Sequence, residues 1–336
     1  MAKLFTPLNV GALELSHRAV VPGLVPMPRT ALASRVPMTR ENYARCASAG
    51  GLIISEPTQI SIQGAGLPAA RGLHQASHIE EWRTITNAVH ARGGFIVAQL
   101  WHVGRVAHSS INQEGPVGPS SIPSSAKVLS ESWDFVDAEV PRTLDQSGID
   151  GVISDYRAAA ANAKDAGFDG VELNGADGYL PDQFLQDRTN TRIDRYGGSM
   201  ESRTYFLFEV IETLHEVWGA DRVGVRLSPF GELNDISDSA PTELFTETMR
   251  SLYDRDLAYV HLVRTTSDGH IDDHRLLDRP VAARLRSAFP GVLITSGKYS
   301  QSEAIEIVQS RWADAVGISA PFSFDSTRPN PLMIDE

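Results

Sequence analysis

Apolar runs alternate with amphipathic segments along the whole chain. Short, nearly continuous Val/Ile/Leu runs predict eight strands, over 18–25, 51–55, 94–100, 170–174, 222–228, 257–263, 291–296 and 313–319. Strands of a parallel sheet covered on both faces read this way. Between them, apolar residues at helical spacing predict seven helices, over 39–49, 79–92, 149–166, 201–218, 241–253, 279–288 and 302–310. Ser77 or His78 ahead of Glu80 and Glu81 marks one helix start, and Pro241 stands where a first turn tolerates proline. Gly167, Gly219 and Gly291 follow helix ends, as left-handed caps would.

This alternation fits either a doubly wound sheet or a closed (β/α)₈ TIM barrel. The count of eight strands favours the α/β barrel, with 1–336 as a single domain. Only a short tail with Pro321, Pro329 and Pro331 follows Ser319, so no full eighth helix is expected. Two excursions follow strand ends on one face. Residues 102–145 are polar, rich in Pro, Ser and Gly, and contain Trp133 and Phe135; they are expected to cap the barrel mouth. Residues 179–199 follow the fourth strand.

Composition narrows the function. With 42% hydrophobic and 21% charged residues the chain reads as globular. Its net charge of -12 argues against nucleic acid or an anionic membrane as partner, though not against a small anionic ligand. A single cysteine, Cys46, excludes an internal disulfide and suits a reducing compartment. The start MAKLFTPLNV lacks the charged-then-apolar layout of a signal peptide, and no apolar run approaches the roughly 18 residues of a membrane span. Cytoplasm is the expected location, and monomer and homo-oligomer both stay open.

Barrel enzymes place their chemistry at the C-terminal strand ends. Those ends carry Val25, Glu56 with Pro57, Gln99 with Trp101 and His102, Asn174, Arg226 with Ser228, Arg264, Gly297 with Lys298, and Ser319 with Ala320. An amide, a guanidinium, an aromatic ring and a lysine converge there, which suits a planar, electron-rich ligand with an anionic group. The competing reading is that Gln99 and Arg226 satisfy loop carbonyls. Asp177 and Tyr179 follow Asn174 closely. Arg188, Arg192, Asp194, Arg195 and Arg203 read as ion-pair anchors for the fourth-strand loop. His102 reads as a hydrogen-bonded loop residue, and no His/Asp/Glu spacing suggests a metal site.

Five segments, in order, carry a resemblance: LFTPLNVGALEL, CASAGGLIISEPTQIS, QLWHVGR, GFDGVELNGADGYLPDQFLQDRTNTRIDRYGGSMESR and VGVRLSP. Together they resemble the Old Yellow Enzyme family, FMN-dependent ene-reductases on a (β/α)₈ barrel reduced by NAD(P)H. The resemblance implies that Gln99 bonds the pyrimidine edge of FMN and that Arg226 stabilises the reduced, anionic flavin. It implies that Trp101 lines the substrate pocket, that Tyr179 donates the proton opposite the hydride, and that Gly297 and Lys298 cradle the phosphate.

Four positions depart from the family pattern. Asn174 and Asp177 stand where a His-x-x-Asn or His-x-x-His pair donates two hydrogen bonds to the substrate. Asn174 retains an amide donor, whereas ionised Asp177 only accepts. Asp177 then suits a donor on the substrate, or general-base work, or it turns away to cap a loop amide. Ser319-Ala320 replaces a Gly-Arg whose arginine meets the phosphate. Pro57 replaces a small residue against the flavin, and Val25 replaces a threonine hydroxyl. Three functions follow: an FMN-dependent reductase of an activated C=C bond with an atypical substrate; a flavin-independent isomerase, dehydratase or cyclase using Asp177 and Tyr179 as base and acid; and a ligand-binding barrel without turnover.

Overall fold

The computed structural model describes residues 2–23, 37–264, 279–297, 299–318, 322–324 and 332–334. Eight parallel strands form its centre: β1 (Ala19–Val21), β2 (Leu52–Ile54), β3 (Phe95–Trp101), β4 (Gly170–Gly175), β5 (Val223–Leu227), β6 (Tyr259–Val263), β7 (Leu293–Gly297) and β8 (Ala315–Ile318). Each pairs with its neighbour in sequence, and β8 pairs with β1 through Val316 and Ala19, so the sheet closes on itself. Every expected strand is present; most are trimmed, whereas β3, β4 and β7 each run one residue past the expected C-terminal end. Helices α1 (Arg40–Cys46), α2 (Ala76–His90), α3 (Gln146–Asp165), α4 (Met200–Trp218), α5 (Pro241–Tyr253), α6 (Arg279–Ala288) and α7 (Gln301–Gln309) fill the connections. The architecture is the (β/α)₈ barrel expected from the pattern.

Local chemistry sets the helix starts. Thr39, Asp145, Ser199 and Ser300 each accept a hydrogen bond from a first-turn backbone N–H. Two expectations fail at this level. α2 begins at Ala76, with Gln75 as a cap that makes no side-chain bond, so Ser77 and His78 lie inside the first turn rather than ahead of it. Gly167 and Gly219 have the positive φ expected of caps (83° and 80°), although Gly219, with ψ 150°, is extended rather than helical; Gly291 lacks a positive φ. Its segment turns directly into β7.

The core has two main parts. Apolar faces of the helices, including Trp82, Tyr156, Phe206 and Phe245, pack on the outer face of the barrel strands. A second cluster joins Val20, Leu52, Ile54, Val97, Tyr259 and Ile294 to Val10, Leu13 and Leu15 of an antiparallel hairpin, Leu8–Val10 with Leu13–Leu15. That hairpin docks where Ala12 N donates to Asp221 O (2.9 Å), just ahead of β5, and so plugs the N-terminal end. The sequence reading missed it, because six strand residues joined by a two-residue turn are too few to show a period.

The opposite end is roofed by the 102–145 excursion. It holds a small hairpin (Val128–Leu129 with Phe135–Val136) and a parallel pair (Val117–Gly118 with Arg142–Thr143). Buried Arg105 ties it down, donating to Asn234 O (3.1 Å) and Asp235 O (2.7 Å) beyond β5. The fourth-strand loop is less open than its polarity suggests. A buried helix, Leu180–Leu185, starts directly after Tyr179. Of the expected ion pairs, Arg195–Glu209 ties that loop to α4, Arg203–Asp238 joins α4 to the segment ahead of α5, and Arg192–Asp194 is internal to the loop, while Arg192 Nη1 reaches Pro119 O (2.9 Å) and Leu144 O (2.6 Å); Arg188 makes no ion pair with the described residues.

Candidate active site

Strand register assembles the site. In β4, Glu172 and Asn174 are two apart and share a face. Glu172 lies level with Gln99 of β3, Asn174 with Arg226 of β5, and Arg226 with His261 of β6. These buried polar side chains bond into one chain across the barrel. His261 bonds Ser296 Oγ through Nε2 (2.7 Å) and Glu172 through Nδ1 (3.0 Å). Gln99 Nε2 donates to Glu172 Oε1 (2.8 Å), and Asn174 Nδ2 donates to Gln99 Oε1 (2.9 Å). Arg226 Nη1 reaches Asn174 Oδ1 (3.5 Å) and makes a close ion pair with Asp177 Oδ2.

Asp177 therefore neither turns away nor caps a loop amide. Its carboxylate is engaged by Arg226, while its own N–H donates to Ser228 Oγ (2.7 Å) and its carbonyl accepts from Asn234 Nδ2 (2.8 Å). A left-handed backbone (φ 58°) lets residue 177 make all three contacts at once. Its second carboxylate oxygen, Oδ1, is buried without a hydrogen-bond partner among the described residues. Burial works against the Arg226 charge, and the Asp177 carboxylate overcomes it, so the guanidinium titrates above its ordinary value.

Tyr179 is buried and meets the Trp101 ring edge-on, with centroids 5.1 Å apart. Both belong to an apolar cluster with Val103, Val106 and Val128 of the roof. Burial first, and the Asp177 charge second, push the Tyr179 hydroxyl above its ordinary range, so it keeps its proton at neutral pH. Trp101 Nε1 is buried without a partner among the described residues, which leaves it able to donate to a ligand. His102 is the loop histidine expected, its Nδ1 accepting from Gly104 N (3.1 Å), and burial lowers its pKa to about 3.

The structure thus brings Gln99, Trp101, Asn174, Asp177, Tyr179 and Arg226 together at the C-terminal mouth. Pro57 lines a small cleft with Leu67, Ala70 and Trp133. Gly297 ends β7, where an added Cβ would lie 3.2 Å from Arg264 Cβ. Val25, Lys298 and Ser319 fall outside the described residues. Glu172, His261 and Ser296 were missed. Their signal was available: Glu172 shares a strand face with Asn174, and a histidine inside the apolar run Tyr259–Val263 needs buried partners.

The mouth fits the FMN that the resemblance implies. The pyrimidine edge of an isoalloxazine alternates carbonyls with an N–H, and needs both donors and acceptors. Gln99 keeps one amide hydrogen and a carbonyl lone pair beyond its bonds to Glu172 and Asn174. With the described residues, Arg226 hydrogen-bonds through Nη1, which leaves its other N–H groups for a ligand. Gly23 sits against this amide; a Cβ there would lie 2.8 Å from Gln99 Nε2 and 2.4 Å from Ser55 O.

Comparison with known proteins agrees. The profile of the NADH:flavin oxidoreductase / NADH oxidase family matches residues 3–329. Flavin oxidoreductase hxnT of Emericella nidulans is 38% identical over 350 residues, covering 98% of this chain and 90% of that protein. 12-Oxophytodienoate reductase 2 of Arabidopsis thaliana is 34% identical over 340 residues, covering 99% and 88%. Among solved structures, morphinone reductase superposes with a TM-score of 0.85 at 38% identity, over 94% of this chain and 85% of its own.

Proposed function

This chain belongs to the NADH:flavin oxidoreductase / NADH oxidase family, and from that premise we propose how its residues carry out ene-reduction. It is an FMN-dependent oxidoreductase with NAD(P)H as reductant, and NADPH is among the reductants we propose. FMN held by Gln99 and Arg226 would supply the hydride chemistry, from NAD(P)H to an electron-poor C=C bond. Gln99 and Arg226 hold the pyrimidine edge, and Gly297 leaves backbone room at the end of β7. By resemblance, Val25, Pro57, Lys298 and Ser319 complete the cofactor site. Tyr179, buried and protonated, gives its proton to the alkene carbon opposite the hydride. Trp101 and the roof residues exclude water and provide an apolar wall. Asn174 and Asp177 orient the activating group. As Asp177 offers an acceptor rather than a donor, the substrate departs from a simple enone.

The observation that carries this reading is the buried chain of Gln99, Asn174 and Arg226 at the strand ends that also bear Trp101, whose ring meets Tyr179. The flavin-independent alternative is not favoured. Its proposed base, Asp177, is engaged in an ion pair with Arg226, and the family is one of flavin oxidoreductases. Cytoplasm remains the proposed compartment, on the evidence of a single cysteine.

The test is a purification followed by stopped-flow reduction and reoxidation. The protein should be yellow, its flavin reduced by NAD(P)H and reoxidised by an activated alkene. Tyr179→Phe should slow alkene reduction by about 10²–10⁴-fold, as for loss of a general acid, with flavin reduction by NAD(P)H nearly unchanged. A colourless protein that takes up no added FMN would refute the reading.

A further inference from the structure

We propose that Arg264 binds the phosphate of FMN, taking over at the end of β6 the work of the arginine that this chain lacks after β8. The proposal rests on the flavin reading above. Arg264 is 9% exposed. Its backbone N–H donates to Ser296 O (2.9 Å), which fixes it to β7 one residue before Gly297. Its Cβ lies against Gly297, 3.2 Å from where a side chain there would begin. Beyond that point the guanidinium is short of partners. Nε and Nη1 are both buried with no hydrogen-bond partner among the described residues.

The described surroundings supply no anion to meet this charge directly. The Tyr299 ring lies 5.4 Å from the guanidinium carbon, a weak cation–π contact. Glu303 is within electrostatic range, but its carboxylate is committed to the start of α7, where Oε2 accepts from Ser300 N and Ser300 Oγ, both at 2.7 Å. A guanidinium held out of water without a hydrogen-bonded anion is strongly unfavourable, so a ligand is the natural source of one. The planar N–H fork matches a phosphate monoester closely. Its place also fits, since barrel enzymes commonly bind phosphate beside the strand-seven and strand-eight loops. The result is a phosphate site with its cation displaced two strands around the ring, from the end of β8 to the end of β6.

FMN and riboflavin differ only in that phosphate, so their comparison isolates the contact. Binding of each to the flavin-stripped full-length chain is followed by quenching of flavin fluorescence. In the wild type FMN should bind at least tenfold more tightly than riboflavin. Arg264→Ala should weaken FMN by about 10–100-fold, as expected for a charge-assisted contact, and leave riboflavin unchanged. Arg264→Lys should fall between the two and control for folding, checked by circular dichroism. Equal losses for FMN and riboflavin in Arg264→Lys, or unchanged FMN binding in a folded Arg264→Ala, would overturn the proposal. Selective loss of NADPH binding, with FMN unaffected, would also overturn it by assigning the arginine to the nicotinamide cofactor. Failure of the wild type to bind either flavin would instead refute the flavin reading itself.

Discussion

Asp177 shows how one residue changes the electrostatics of this mouth. Arg226 would place a full positive charge beside the flavin, and Asp177 cancels much of it through a buried ion pair. A flavin that gains negative charge on reduction then sees less stabilisation. Asp177→Asn keeps the shape and restores the field of Arg226. The two-electron potential of the bound flavin should rise by about 30 mV, the equivalent of a tenfold shift, in a spectroscopic titration against a reference dye. An unchanged potential would mean that the carboxylate does not act on the flavin. At this scale Gln99, Asn174, Asp177, Tyr179 and Arg226 were legible as strand-end residues, whereas the Asp177–Arg226 bond was not. It depends on the left-handed turn at 177 and on β4 lying level with β5, and neither is written in the local pattern.

The segment from Ala176 to Leu185 follows β4 and carries Asp177 and Tyr179. It read as an open polar loop but contains the buried helix Leu180–Leu185, with Asp182 in its first turn. The Asp182 carboxyl accepts from Gly178 N (2.9 Å) and Gln186 Nε2 (2.7 Å). Burial nevertheless outweighs these bonds and raises its pKa from 3.8 to about 7. The sign follows from linkage. The folded protein holds this proton more tightly than the unfolded chain, so the associated stability is full below about pH 4 and is lost as pH rises through 7. In thermal melts across that window, Asp182→Asn should flatten the decline seen in the wild type. An unchanged slope would show that another group is responsible. The sequence concealed this because aspartate near a helix start ordinarily reads as a solvated dipole partner.

For the whole molecule, barrel closure sets both stability and the site. Gly224 leaves room for the Tyr259 ring inside the barrel; an added Cβ would lie 2.2 Å from the ring. Gly224→Ala should therefore cost about 1–3 kcal/mol in equilibrium urea unfolding, as overpacking does. The loss would fall at the plugged end, opposite the mouth, so flavin absorbance in the folded variant should be unchanged. A variant as stable as wild type would show that the ring moves aside at no cost.

The alternation of strand-like and helical periods, the eight strands, the location of the chemistry at their C-terminal ends and the family were all determined by sequence. Each depends on residue spacing within one element, or on motifs long enough to be specific. The N-terminal plug, the bonded chain from Ser296 through Glu172 to Arg226, the neutralised arginine and the buried Arg264 N–H groups with no partner among the described residues were decided by tertiary structure. The physical reason is separation along the chain: Asn174 and Arg226 are 52 residues apart, and His261 and Glu172 are 89. Only the closed ring, with its fixed register, brings such groups within bonding distance and removes the water that would otherwise satisfy them.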